Sequence, residues 1–212
     1  GYERKRGALL NLMALIRRGE DGPFLTVLGD RKHLARMRYV VTLDEDTVPG
    51  IGTLSRMLCV MCHPANRPRI RDGAVREGFG VLQPVTETSL ASAGDTLFSA
   101  LMTGGGGNDV YASAFYELYQ TVFGTGIFCG KGMVDAAVYD ALLQDAFPEQ
   151  TVLSHDLLEG ARLRCGLLTD VAVTDGCPGS VLSYLDRQNR WMRGDVQALA
   201  FSFRHVRNRR GE

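Results

Sequence analysis

Leu9, Leu12, Met13 and Ile16 share one helical face and predict a helix over residues 8–18, closed by Gly19 and Gly22-Pro23. The next apolar run is short and β-branched. Residues 38–43 read RYVVTL and stop abruptly at Asp44-Glu45-Asp46, as a buried strand does on leaving a sheet. Pro49 suits the first turn of a helix reaching about residue 62, where His63-Pro64 ends it. Residues 80–84, GVLQP, predict another strand. From 92 to 123 the pattern is helical, broken by a loop at Gly104-Gly105-Gly106-Gly107. A brief strand at 127–129 precedes the Gly130-Lys131-Gly132 turn. Helices are then predicted over 134–147 and 154–164, the second with Ser154 as N-cap. Residues 167–173 are strand-like, and one long helix dominates 179–203. Strands alternating with helices predict an α/β fold around a mostly parallel central sheet. No repeat or linker divides residues 1–212, so they read as one domain.

Composition narrows the function. With 45% hydrophobic residues the chain is globular rather than disordered. Its 24 Lys and Arg are balanced by 24 Asp and Glu, which leaves no surplus charge for non-specific nucleic-acid binding. The arginine-rich stretch at 204–210 is a local exception. No apolar stretch approaches the roughly 20 residues needed to span a bilayer, and the N-terminus has no apolar signal core. The sequence begins without Met inside a charged motif, so it reads as a piece of a longer polypeptide. Five scattered cysteines make no disulfide framework and read as reduced thiols.

Several constellations can carry chemistry. Asp44 and Asp46 stand at the carboxyl end of an apolar strand, where open α/β sheets place ligands. Two carboxylates one residue apart can share a hard divalent cation that bridges phosphates, although solvated turn-formers have the same pattern. Ser154-His155-Asp156 puts a carboxylate at a helix start, which favours its ionised form and suits a base; ordinary dipole complementarity explains it equally. Arg187, Arg190 and Arg193 recur on successive helix turns around Trp191, the chain's sole tryptophan, an arrangement able to grip phosphate and face a sugar ring. A solvated charged face is the plainer account. Lys5, at a basic helix start, suits an anion, or is simply a charged chain end. Two patterns mislead. Cys59-Val60-Met61-Cys62-His63 fits haem attachment but sits in an apolar helix without an export signal. The run from Gly126 to Gly132 imitates a P-loop, yet Thr125 replaces its first Gly and Gly132 its Ser or Thr.

Taken in order, Lys5-Arg-Gly-Ala-Leu9, Asp44-Glu-Asp46, Ile127-Phe-Cys-Gly130, Ser154-His-Asp156 and Arg187-Gln-Asn-Arg190-Trp191 resemble the membrane-bound processive β-glycosyltransferases, the class containing cellulose synthases. The stretches ERKRGALL, YVVTLDEDT, HPANRPR, GFGVLQP, FGTGIFCGKGMVD, FPEQTVLSHDLLEG and RQNRWMRGD are closest to the glycosyltransferase domain of cyclic β-1,2-glucan synthases, from position 3 to about 197. The resemblance implies a GT-A, Rossmann-like fold, here without its first N-terminal strands. It also implies UDP-glucose as donor, a β-glucan acceptor, Mg2+ or Mn2+, and inversion at the anomeric carbon. By the same resemblance Asp44 and Asp46 hold metal and diphosphate, and Asp156 is the general base. Lys5, Arg187 and Arg190 bind the donor diphosphate, while Trp191, Gly130 and His155 border the acceptor. The parent chain of this bacterial family adds membrane helices and a phosphorylase-like region, placing the domain at the cytoplasmic face of the inner membrane. The chain departs from the family where Met133-Val134-Asp135-Ala136-Ala137 replaces a Tyr and a further Asp, and where Val196 replaces a Trp. Alternatives from the residues are another nucleotide-sugar donor or linkage, or a binding module without turnover. Little UDP-glucose turnover is expected from the 212 residues alone.

Overall fold

Among the described residues backbone hydrogen bonds join five strands in one sheet, of order β1 (Tyr39–Thr42), β6 (Gly132–Asp135), β5 (Val81–Thr88), β7 (Cys165–Asp175) and β2 (Val48–Pro49). A separate hairpin joins β3 (Arg69–Arg71) to β4 (Ala74–Glu77). The helices are α1 (Arg4–Arg18), α2 (Arg31–Leu34), α3 (Thr53–Cys62), α4 (Leu90–Ala93), α5 (Leu97–Met102), α6 (Glu117–Phe123), α7 (Ala136–Leu143), α8 (Asp156–Leu163) and α9 (Val181–Ala198). The structure, a computed structural model, describes residues 3–103, 117–151 and 155–202. The predicted N-cap Ser154, the glycine loop at 104–107 and the arginine-rich stretch at 204–210 lie outside the described residues.

The α/β class holds, but the mostly parallel sheet is corrected. Only β5 and β7 pair in parallel; β1 with β6, β6 with β5, and β2 with β7 are antiparallel. The reason lies in one reversed strand. β1 and β5 run in the same direction, and β6 is inserted against both, turning two neighbouring contacts antiparallel at once.

Successive residues of the central strands point to opposite faces, as the strand period requires. Val81 and Val134 join Leu10, Met13, Tyr139, Leu143 and Leu163 under α1, α7 and α8. Leu82 and Met133 instead meet Met57 and Met61 of α3 and Leu168 of β7. Helices thus cover both faces of the sheet, α1, α7 and α8 on one and α3 on the other.

Local predictions shift for identifiable reasons. Gly19 closes α1 at φ 70°, its N–H bonding Leu15 O, as its position at the end of the apolar stripe foretold. Pro49 opens no helix; it lies in β2 at the sheet edge, where a missing N–H is tolerated, and α3 starts at Thr53. The strand predicted to end at Pro84 continues to Thr88 through a register shift, with Pro84 opposite Leu168 and Val85 opposite Ala172. That irregularity accommodates a proline inside the sheet. The brief strand expected at 127–129 forms instead at Gly132–Asp135, and the helix expected from 134 starts at Ala136 because Asp135 caps it, accepting from the N–H groups of Ala137 and Val138.

Candidate active site

Asp44, Glu45 and Asp46 leave the carboxyl end of β1 and border a cavity of about 700 Å3. The N-terminus of α1 brings Glu3, Arg4, Lys5 and Arg6 to the same cavity, and the start of α8 brings His155, Asp156 and Glu159. Lys131 enters from the turn before β6, Asp175 from the end of β7, and Arg187, Arg190 and Trp191 from α9. Residues separated by most of the sequence thus converge on one concave surface. Gly130 completes the set without lining it. Its carbonyl accepts from Lys5 Nζ at 2.8 Å and from Thr42 Oγ1 at 3.0 Å. A Cβ there would stand 2.9 Å from Asp156 Oδ1, and φ is +84°. The missing side chain is what lets the Asp156 carboxylate approach this turn.

Charge is arranged in a ladder. Asp175 Oδ1 accepts from Thr47 Oγ1 at 2.6 Å, and Asp175 pairs closely with Lys131. Lys131 Nζ lies 3.5 Å from Asp44 Oδ2, and Lys5 Nζ donates to Asp44 Oδ1 at 2.6 Å. Arg187 Nη2 stands 3.5 Å from Asp46 Oδ2 while its guanidinium lies 5.8 Å from the Trp191 ring centroid, a cation–π contact that steadies the indole at the rim.

Beneath Asp156 the site is buried. Glu159, one turn along α8, is 2% exposed and accepts from the Tyr139 hydroxyl at 2.9 Å. Burial, then the neighbouring Asp156 charge, pushes its carboxyl up to about 8, so it is neutral at pH 7. Burial, then the Arg6 charge, pulls His155 down to about 4, so its ring is neutral too. Arg6 pairs with Glu3, both buried, and its guanidinium lies 5.5 Å from the Phe147 ring centroid. Among the described residues its Nε and Nη2, like His155 Nε2, have no hydrogen-bond partner.

Every residue that the resemblance assigns to the site borders the cavity or, for Gly130, supports it, whereas Arg193, the third arginine of the expected cluster, does not line it. Lys131, Asp175 and Glu159 were not expected. Glu159 could have been found from its three-residue spacing to Asp156, which places both on one helical face. Asp175 repeats the logic of Asp44, an acid ending an apolar strand. Lys131 had no such signal beyond a turn already set aside as a false P-loop.

The carboxylates can accept a hard cation. Asp44 and Asp46 side chains are 42% and 45% exposed and offer oxygens, the ligands Mg2+ and Mn2+ prefer. Among the described residues no group of three or more His, Cys, Asp or Glu is gathered for a metal. A cation here would take two protein carboxylates and complete its shell with ligand or water oxygens, which suits a nucleotide diphosphate.

The chain is 36% identical over 206 residues, 96% of its length, to the cyclic beta-(1,2)-glucan synthase NdvB of Rhizobium meliloti (strain 1021). That similarity, which runs over nearly the whole chain, supports a glucan synthase domain. No family model matches it. It spans about 7% of the length of NdvB, so it corresponds to one segment of a far larger relative. Homology to a β-1,2-glucan synthase supports a glycosyltransferase role for that segment.

Proposed function

We propose that this domain is the catalytic part of a metal-dependent inverting glycosyltransferase that moves glucose from UDP-glucose to a growing β-1,2-glucan, on a GT-A scaffold. One observation carries the reading: Asp44, Asp46, Asp156, Arg187, Arg190 and Trp191 line the same cavity. Asp156 Oδ takes the proton of the acceptor hydroxyl as that oxygen attacks the anomeric carbon. The bond from that carbon to the diphosphate oxygen breaks, its electron pair leaves with UDP, and attack from the opposite face inverts the centre. A positioned base contributes about a hundred- to ten-thousand-fold.

The leaving diphosphate needs positive charge, and Lys5, Arg187 and Arg190 can provide it from two sides of the cavity. Mg2+ or Mn2+ held by Asp44 and Asp46 would supply further charge neutralisation there, worth roughly several kcal/mol. Trp191 offers a flat face to a sugar ring of the acceptor, and neutral His155 with the Gly130 turn borders the same side. Membrane and phosphorylase-like regions of a longer polypeptide, held at the cytoplasmic face of the inner membrane, are the partners this reading implies. Among the described residues no helix is long and apolar enough to cross a membrane.

The first test is binding. UDP should bind in a Mn2+-dependent manner and lose at least tenfold in affinity in Asp44→Ala and Asp46→Ala; undiminished binding without metal contradicts the reading. In the full-length synthase, Asp156→Asn should lower glucose transfer about a hundredfold or more with UDP affinity nearly intact. A variant that keeps its rate removes Asp156 as the base.

A further inference from the structure

Lys131 has been given no part in the proposed reaction, yet it is only 6% exposed and lines the cavity. An ammonium group is buried at a high cost unless it is paired. Its close partner Asp175 is 5% exposed and anchored by Thr47, so this end of the lysine is fixed. Its other neighbour, Asp44 at 3.5 Å, is half-exposed and shares its second oxygen with Lys5. Asp175, Lys131, Asp44 and Lys5 thus alternate in sign across the cavity. A divalent cation on Asp44 competes with both ammonium groups for the same two oxygens. It also sets positive charge beside each of them, and both then favour an anion in the same cavity.

We propose that Lys131 is a diphosphate-binding residue that exchanges partners, yielding Asp44 to the divalent cation and turning to a phosphate oxygen of the donor while it stays tethered to Asp175. The proposal rests on the reading of Asp44 and Asp46 as the metal and diphosphate pair. Its consequence is cooperativity. Cation and nucleotide each release a group that the other uses, so each raises the affinity of the other by the same factor.

The test compares wild type with three variants, because removing one charge of a buried pair can compromise folding. Lys131→Met alone, and Lys131→Met with Asp175→Asn, are measured by electron paramagnetic resonance of free Mn2+ and by calorimetry of UDP with and without Mn2+. The double variant, which leaves no orphaned buried charge, should bind Mn2+ alone about three- to tenfold more tightly, because a competing ammonium is gone. Its UDP affinity at saturating Mn2+ should fall about tenfold, and the mutual enhancement should shrink by a similar factor. Lys131→Arg should recover most of the UDP affinity. If wild type binds Mn2+ and UDP cooperatively and the folded double variant matches it within twofold in both affinities, Lys131 has no such role and the site reading stands. If wild type shows no Mn2+-dependent UDP binding, the site reading falls, and this proposal with it.

Discussion

Glu159 is a carboxyl group sealed from water, and its titration leaves a stability signature. Its folded value is about 8 against 4.5 unperturbed. Above the lower value the unfolded chain releases a proton that the folded chain keeps, so the stability this group contributes is fully present below about 4.5 and is lost as pH rises toward 8. His155, depressed from 6.5 to about 4, has the opposite sign: its contribution is present above 6.5 and lost as pH falls toward 4. Between pH 6.5 and 8 Glu159 alone of the two differs in protonation between folded and unfolded chains. Wild type should therefore lose stability across that window, by up to about 1.4 kcal/mol per pH unit, and Glu159→Gln should flatten the dependence. Urea unfolding at three pH values measures it; identical slopes for the two proteins would refute the assignment. Such a group was half-legible in the sequence. The spacing from Asp156 to Glu159 shows a shared face, but only the fold reveals that Tyr139 and the floor of α8 shut the water out.

At the scale of elements, the position of Asp156 depends on how closely α8 lies on the segment before β6. A Cβ on Gly160 would come within 2.6 Å of Phe128 Cβ, so the helix has no room to carry anything larger there. Gly160→Ala should force α8 outward and destabilise the domain by about 1–3 kcal/mol, the range for an overpacked interior. It should also lower transfer by the full-length enzyme by moving the base. Denaturant midpoints and rates check the two effects separately, and a variant as stable and as fast as wild type would show that the contact yields without consequence. α1 was readable directly because an apolar stripe on one face is buried, and the RYVVTL strand because it is a short β-branched run packed on both faces, Val40 against one core cluster and Tyr39 and Val41 against the other. β6 and the bulge after Pro84 were not. Their identity is set by partners distant in sequence: β6 is a strand because β1 and β5 flank it, and Pro84 is tolerated because β7 slips its register opposite. A proline or a short apolar run carries no mark of such neighbours.

For the whole molecule, the chemistry of the cavity sets what it can distinguish. Its lining is dominated by charged side chains from α1, the Asp44–Asp46 segment, α8 and α9, with Leu9 and Trp191 as the apolar exceptions. Such a surface recognises a diphosphate and its counter-cation. Discrimination between nucleobases needs buried donors and acceptors matched to one base edge, since leaving such groups unpaired is what penalises the wrong ligand. The described lining offers charge in their place. The 212-residue chain should accordingly bind UDP, GDP and ADP in the presence of Mn2+ with affinities within about threefold of one another, while UMP, lacking the second phosphate, should bind about tenfold or more weakly. Calorimetry with the four nucleotides at fixed Mn2+ decides the matter. A strong preference for UDP over GDP and ADP would mean that this chain reads uracil through contacts outside the charged lining, and the account of the cavity as a diphosphate site would have to be replaced by one centred on the base.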